Sequence, residues 1–166
     1  MTQIGRHMAE TGLRPGPAWP VSSVMPPLAA LPTAPSAARA HVHAILAMWR
    51  MSGLTDALEL VVSELVANGV NASADADGSP KYAEGRVPVI RLCLLTDGKR
   101  LVAEVWDQAP GAPVRLSASR DDESGRGLYL VDVITESRWG WRPAMSGPGK
   151  CVWAVFEVPA ETGDGN

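Results

Sequence analysis

One stretch decides the fold of this chain, namely Glu64-Leu65-Val66-Ala67-Asn68-Gly69-Val70-Asn71. It closes an apolar run over residues 57–70 that predicts a helix. At about 100° per residue, Glu64, Asn68 and Asn71 fall within roughly 60° of one another on the helix wheel. Their neighbours on that side are apolar, and a carboxylate beside apolar residues costs free energy unless something uses it.

This arrangement suggests a chemical role for two of the side chains. A carboxylate and a carboxamide one turn apart, Glu64 and Asn68, offer oxygen ligands for a hard cation such as Mg²⁺ and a base for a water or hydroxyl. From this stretch alone the alternative is a surface glutamate with two amides at the helix edge. A separate polar stripe of the same helix is predicted to face water, and it comprises Asp56, Glu59 and Ser63.

Composition sets limits on the class of protein. A chain of 166 residues is most simply one domain with a sizeable core. Its 15 basic and 18 acidic residues show no basic run, so nucleic acid is not predicted as a partner. No apolar run reaches the roughly 18 residues of a membrane-spanning helix. Cys93 and Cys151 lie in apolar runs, which favours reduced, buried thiols and a cytoplasmic location.

The chain divides into three parts. Residues 1–20 are rich in Pro, Gly and Ala and are predicted to form a disordered leader. Residues 21–158 form the predicted domain, and residues 159–166 a flexible tail. Pro26 and Pro27 limit the start of the domain to one short edge strand.

The remaining elements follow from periodicity and breakers. Two helices are predicted over residues 37–51 and from residue 55 to about residue 72, with Ser36 and Thr55 as their N-caps. A third helix starts at Leu128. Strands are predicted over residues 87–95, 101–107, 138–142 and 151–158.

Asp107 ends one of these strands. Strand alternation places Leu101, Ala103, Val105 and Asp107 on the same face. If that face meets the helices, the Asp107 carboxylate emerges on the core side and can accept a hydrogen bond from the amino group of a ligand. The alternative is an ordinary strand-end aspartate that begins a turn.

A glycine pair opens the third helix, in the sequence Gly125-Arg126-Gly127-Leu128. Glycines at a helix N-terminus let backbone N–H groups meet phosphate oxygens, and Arg126 could add positive charge. The alternatives are a flexible joint and a solvated arginine. The long polar segment before it, residues 108–124, is predicted to be a mobile lid.

These motifs, in this order, resemble the N, G1 and G2 boxes of the GHKL ATP-binding superfamily. The closest resemblance is to the small bacterial anti-sigma-factor serine kinases of the RsbW type, which are histidine-kinase-like ATPase domains. It covers about residues 28–158 and rests on residues 63–68, 105–107, 125–131, 139–142 and 149–154.

The resemblance implies a Bergerat ATP-binding fold. This is a two-layer α/β sandwich whose mixed, mostly antiparallel sheet carries helices on one face. ATP and Mg²⁺ are the implied cofactors. Glu64 would polarise the attacking hydroxyl, Asn68 would hold Mg²⁺, and Asp107 would read the adenine amino group. The further nucleotide-binding residues implied are Asn71, Gly111, Gly125, Arg126, Gly127, Leu128 and Lys150.

Four departures from the family pattern accompany the match. Ala72 follows Asn71 where a histidine is common, and Gly69 replaces alanine, at a cost of about 1 kcal/mol in a helix. The stretch after Asp107 lacks the fuller glycine pattern, and Cys151 takes a place near which many relatives carry threonine.

The resemblance and the departures from it therefore predict two alternative functions. The first is an anti-sigma factor that phosphorylates serine or threonine on a STAS-type anti-anti-sigma protein and also binds a sigma factor. The second is a catalytically weak or inactive ATP-binding module that sequesters a protein partner. The family also implies a homodimer, and the composition predicts neither nucleic acid nor a membrane as partner.

Overall fold

The computed structural model describes residue 19 and residues 21–82, 84–113, 126–144 and 147–160, with only the backbone of Arg126. Within these ranges the strands come in consecutive pairs, separated first by two helices and then by one. Their bounds are β1 Val21–Val24, β2 Leu28–Ala29, α1 Ala34–Met48, α2 Thr55–Ala72, β3 Val89–Thr96, β4 Arg100–Asp107, α3 Arg126–Ile134, β5 Trp139–Pro143 and β6 Lys150–Glu157.

The described strands form one antiparallel sheet of six. Its order is β1-β3-β4-β6-β5, and β2 pairs with β3 beside β1. Helix α2 packs against α1, α3 and β4. The predicted fold class, an α/β sandwich with helices on one face of a mostly antiparallel sheet, is confirmed.

The alternation of β4 places the core as predicted. Leu101, Ala103 and Val105 belong to the main buried cluster, which they share with the helices. Val102 points to the opposite face, where it joins a second cluster with Trp19, Cys93 and Leu95. Asp107 therefore ends its strand on the helix side of the sheet.

Trp19 falls inside the predicted leader, and it is buried. Its side chain joins the second cluster, and the Arg100 guanidinium lies 5.3 Å from its ring centroid. Residues 1–18 and 161–166 lie outside the described residues, so the leader and tail remain predictions.

The start of α1 corrects the predicted cap. The helix begins at Ala34, and Thr33 rather than Ser36 is its N-cap. Pro35 fits inside the first turn because the N–H that proline lacks would have no partner there. The helix ends at Met48 rather than residue 51, and Arg50 follows with a φ of 57°.

Two more details of the helices differ from prediction. A 3₁₀ turn over Ser52–Leu54 leads directly into α2, so Leu54 is the N-cap and Thr55 is the first helical residue. The predicted polar stripe is exposed at Asp56 and partly exposed at Glu59 and Ser63, and the last two also bond to α1, which was not predicted. Glu59 accepts a 3.0 Å contact from His43, and Ser63 accepts a 2.8 Å bond from Arg39.

The strands differ from prediction mainly at their ends. The single edge strand expected before α1 is a pair, β1 and β2, interrupted around Pro26 and Pro27. Strand β3 starts two residues later than predicted and ends one later, whereas β4, β5 and β6 lie within one residue of their predicted bounds. Helix α3 begins at Arg126, two residues earlier than predicted.

Both cysteines are buried thiols, as predicted. Cys93 is 2% exposed and Cys151 is 0% exposed. Burial, with a smaller contribution from the Glu104 carboxylate, raises the pKa of Cys93 to about 12. The Cys93 thiol therefore stays protonated at neutral pH. Over the described ranges, no helix is long and apolar enough to cross a membrane.

Candidate functional site: Glu64 and Asp107 beside helix α2

The first end of the candidate site is the contact between Glu64 and the start of α3. A Cβ atom placed on Gly127 would lie 2.5 Å from Glu64 Oε2 and 3.5 Å from its Cδ. The carboxylate thus rests on the backbone of the first turn of α3, in space that only a glycine leaves open. Glu64 itself is half-buried.

The second end is the contact between Gly69 and the end of β4. A Cβ on Gly69 would lie 3.0 Å from Ile90 Cδ1, 3.3 Å from Asp107 Cβ and 3.5 Å from Asp107 Oδ2. The missing methyl group lets the α2 backbone lie close to the strand end. This close approach is the physical reason for a glycine that the sequence presents only as a helix-weakening residue.

Asp107 is held by two hydrogen bonds to a single oxygen. Lys150 Nζ donates to Asp107 Oδ1 at 2.8 Å, and the backbone N–H of Ala109 donates to the same atom at 2.9 Å. Lys150 Nζ also donates to the carbonyl of Ala109 at 3.3 Å. The side chains of Lys150 and Asp107 are 1% and 2% exposed, so this is a buried ion pair.

Burial dominates the electrostatics of this aspartate. Removal from water raises the pKa of Asp107 above its ordinary value, against the opposing effects of the Lys150 hydrogen bond and charge and of the Ala109 N–H. The ion pair follows from the sheet register, because Asp107 and Lys150 are directly opposite each other on β4 and β6. Two residues 43 positions apart in the chain are thus brought together by strand pairing.

Gly149 keeps the backbone at this end in place. Its φ is +125°, and a Cβ there would collide with the backbone carbonyl oxygen of Asp107 and lie 3.2 Å from Gln108 Cα. Both observations exclude any side chain at this position.

Replacing Gly149 with Ala should therefore destabilise the protein strongly. We expect a loss of about 2–4 kcal/mol in the free energy of unfolding, from backbone strain and from a collision with a backbone atom that cannot move aside. Urea denaturation measures this loss. The matched control is Gly147→Ala, which has a φ of +79° but no atom within 4 Å of its Cβ. Gly147→Ala should lose only about 1–2 kcal/mol in the free energy of unfolding. Equal losses in the two variants would show that the collision at residue 149 does not destabilise the protein.

The remaining predicted site residues are placed as follows. Asn68 is half-buried one turn after Glu64, and Asn71 is exposed in the last turn of α2. Gly111 is exposed in the loop after β4, with a φ of +89°. The Leu128 side chain is 4% exposed and belongs to the core, which leaves its backbone as the part that could meet a ligand. Gly125, the side chain of Arg126 and residues 114–124 of the predicted lid lie outside the described residues.

A cavity of about 510 Å³ adjoins the Asp107 end. Its volume is in the range of small-molecule pockets. The wall includes Ser73, whose buried hydroxyl has no hydrogen-bond partner in the described part of the chain. The residues that line it are Ala72, Ser73, Lys81, Glu84, Arg86, Val87, Pro88, Val89, Gln108, Ala109, Pro110 and Pro148.

The two ends lie on the same side of the sheet. Glu64 and Gly69 are five residues apart, or roughly 7.5 Å along α2. The Glu64 carboxylate faces the start of α3, and the Asp107 carboxylate at the end of β4 faces Gly69, about 140° further around α2 at 100° per residue. Asn68 lies between them along the helix.

Comparison with protein families agrees with this geometry. Residues 28–156 match the model of the histidine kinase-like ATPase domain family. The match spans most of the chain, so the protein belongs to that family. No curated protein matches the chain. Family membership supports ATP binding, usually with Mg²⁺, and an ATP-binding regulatory role.

The oxygen donors of the described residues fit a nucleotide with Mg²⁺, because Glu64 and Asn68 lie one turn apart and Oδ2 of Asp107 lies on the α2 side of its carboxylate. At Gly127 and Gly69 the missing Cβ allows close packing against Glu64, Ile90 and Asp107. Sequence reasoning missed the part that Gly69, Gly149 and the N–H of Ala109 play in fixing Asp107. A glycine inside an apolar helix, and another just before a strand, were the signals that could have indicated close backbone approach.

Proposed function

We propose that this protein is an ATP-dependent serine/threonine kinase of the anti-sigma-factor type. Its substrate would be a hydroxyl side chain on a STAS-type anti-anti-sigma protein. The observation that carries the proposal is the Glu64 carboxylate held against Gly127, at the helix N-terminus where the phosphates of a nucleotide would bind. Family membership supports the nucleotide.

Glu64 has the central chemical role in this proposal. Its carboxylate accepts the proton of the substrate hydroxyl as the new O–P bond forms and the bond to the β-phosphate breaks, releasing ADP. Bound ATP would supply the phosphoryl group, and Mg²⁺ held by Asn68 would neutralise phosphate charge. Phosphoryl transfer depends mainly on positioning and charge neutralisation, so one base and one metal ligand suffice.

The other residues position the reactants. Asn68, one turn from Glu64, would supply a carboxamide oxygen to Mg²⁺. Asp107 would accept a hydrogen bond from the adenine amino group. Gly127, with Gly125 and Arg126 before it, would let backbone N–H groups and a guanidinium approach the phosphates.

Gly127 offers a direct test of how Glu64 is positioned. In Gly127→Ala the new methyl group displaces the end of a flexible side chain, so the loss of stability should be small, about 1 kcal/mol. The displaced carboxylate should lower the rate of phosphoryl transfer by about a hundredfold. Single-turnover kinetics with saturating ATP measures the rate. An alanine variant with the wild-type rate would show that the position of Glu64 against Gly127 is unimportant.

The test of the function itself is a transfer assay. The protein is incubated with γ-labelled Mg-ATP and a panel of STAS-type proteins, and phosphoserine or phosphothreonine is located by mass spectrometry. Transfer to one hydroxyl of a STAS protein supports the proposal. Binding of ATP without transfer to any panel member, combined with tight binding of a sigma factor, would favour the second function.

That second function is a sequestering module with a weak or inactive ATP site. The observation that favours it is Cys151, which is fully buried. The family resemblance implies that many relatives carry a threonine hydroxyl near this position. In this case Glu64→Ala would leave partner affinity unchanged. A homodimer is proposed for either function, and sedimentation of the purified protein tests it.

A further inference from the structure

The face of the sheet opposite the helices carries a buried cluster of its own. Trp19, Cys93, Leu95 and Val102 form this cluster, and within the described ranges Trp19 is its one buried member outside the strands. The described helices pack against the other face, so they do not cover this one. Because Trp19 directly follows residues 1–18, that segment joins the sheet at this face.

We call this surface the outer face, to which β4 contributes Val102, Glu104 and Trp106. Glu104 is 0% exposed although it lies on the side without helices. The residues directly opposite it are Cys93 on β3 and Trp153 on β6, neither of which supplies a positive charge. The outer face therefore holds a buried carboxylate among apolar and aromatic side chains.

The charge of the leader is complementary to this carboxylate. A carboxylate removed from water is costly unless a cation or hydrogen-bond donors meet it. Residues 1–18 carry two arginines, Arg6 and Arg14, against one glutamate, Glu10. The leader thus offers the kind of side chain that the outer face requires.

Two indole rings give the outer face an aromatic floor. A Cβ atom on Gly140 would lie 2.5 Å from Cζ2 of Trp153, so this ring lies across β5 in the space that the glycine leaves. The Arg142 guanidinium lies 4.6 Å from the ring centroid of Trp106. Polyproline segments dock on aromatic surfaces at low entropic cost, because they are extended before they bind. The leader ends in such a segment, with prolines at positions 15 and 17.

Distances along the chain select Arg14 as the partner of Glu104. Val102, in the Trp19 cluster, is two residues or roughly 7 Å from Glu104 along β4. A polyproline chain rises about 3.1 Å per residue, so the five residues from Trp19 back to Arg14 span roughly 16 Å. Arg6 would lie roughly 40 Å away in the same conformation, beyond the roughly 26 Å length of an eight-residue strand.

We propose that residues 1–18 dock on the outer face of the sheet of their own chain, with Pro15 and Pro17 on the Trp153 ring and Arg14 paired with Glu104. This contact would order a segment whose composition alone predicts disorder. The nucleotide site lies on the other face of the sheet, so the proposal is independent of the proposed function.

Photochemical cross-linking tests where the leader lies. Leu13→benzoylphenylalanine is introduced into the full chain, which is irradiated, and the attachment points are located by mass spectrometry. We expect attachment within one chain, confined to peptides of β3, β4, β5 and β6. The control places the same residue at Thr162 in the C-terminal tail, and it should not label these peptides. Attachment spread over helices and strands, attachment to a second copy, or no attachment to the sheet overturns the proposal.

A double-mutant cycle tests the pairing of Arg14 with Glu104. Urea denaturation is measured for the full-length Arg14→Gln, Glu104→Gln and double variants. Arg14→Gln should lower the unfolding equilibrium constant's reciprocal, the folding constant, by at least about tenfold, the size expected for a hydrogen bond between charged groups. In the Glu104→Gln background the same change should have less than about a threefold effect, and the control Arg6→Gln should keep the wild-type value.

Equal effects of Arg14→Gln in the two backgrounds overturn the pairing. If Glu104→Gln does not fold, Arg14→Lys takes its place in the test, because lysine keeps the positive charge. Arg14→Lys should then recover most of the stability that Arg14→Gln loses, and equal losses in these two variants overturn the proposal.

Discussion

Replacing Glu64 with Gln should slow phosphoryl transfer by about 10²–10⁴-fold, the usual contribution of a general base. Glutamine keeps the size and shape of the side chain but cannot accept the proton of the substrate hydroxyl. ATP affinity should remain within about threefold, because Asp107 and the phosphate-binding backbone are untouched. Single-turnover transfer to the STAS substrate and calorimetry with Mg-ATP measure the two quantities on the same samples.

The same helix supplies the control for this variant. Glu59 is also a half-buried glutamate of α2, but it faces α1 and contacts His43 at 3.0 Å. Glu59→Gln should therefore transfer phosphate at the wild-type rate. Equal losses of transfer rate in the two variants would indicate that removing any negative charge from α2 impairs the protein. A fully active Glu64→Gln variant would show that Glu64 is not the general base.

Replacing Lys150 with Met should lower the free energy of unfolding by about 3–5 kcal/mol, because a buried carboxylate loses its charged partner. Met fills nearly the same volume, so the loss reports the charge rather than a cavity. The double variant Lys150→Met/Asp107→Asn should recover most of the loss, since a neutral pair of similar shape often replaces a buried ion pair without cost. Guanidinium denaturation at pH 7 measures both variants, with Lys99→Met as the exposed control.

The pKa of Asp107 predicts how the stability deficit of Lys150→Met changes with pH. Burial already raises the pKa of Asp107 in the folded protein, and without the Lys150 charge it rises further. An acid whose pKa is raised by folding stabilises the folded protein, and this stabilisation is complete at pH values below the ordinary pKa of aspartate. It is lost as the pH rises through the pKa of the folded state. The deficit of Lys150→Met should therefore shrink when the measurement is repeated in mildly acidic buffer. A deficit that is independent of pH would show that Asp107 is not the group left unpaired.

The parts of the fold that depend on local periodicity were predictable from sequence. The apolar pattern of α2 identified a helix that ends near Ala72, and the alternation of β4 placed Asp107 on the helix side. The α1 cap was predicted wrongly at Ser36, after Pro35, because proline also fits inside the first turn of a helix. The split of the first edge strand depends on pairing with β3, which lies more than 60 residues later in the chain.

The details of the candidate site depended on contacts that sequence patterns do not contain. A lysine after a glycine turn is ordinarily exposed, yet Lys150 is buried because strand pairing places it opposite Asp107. Gly69 was predicted only to weaken its helix, since its benefit comes from Ile90 and Asp107 on other elements. The proximity of Glu64 to Gly127 likewise arises from the packing of two helices.

The measurement that tests the account most directly is calorimetric titration of wild type and Asp107→Asn with Mg-ATP. We predict micromolar affinity for wild type, about −8 kcal/mol, and a loss of at least about tenfold in the variant. Undetectable binding to wild type at millimolar ATP, or equal affinity for the two proteins, would contradict the claim that Asp107 and α2 form a nucleotide site.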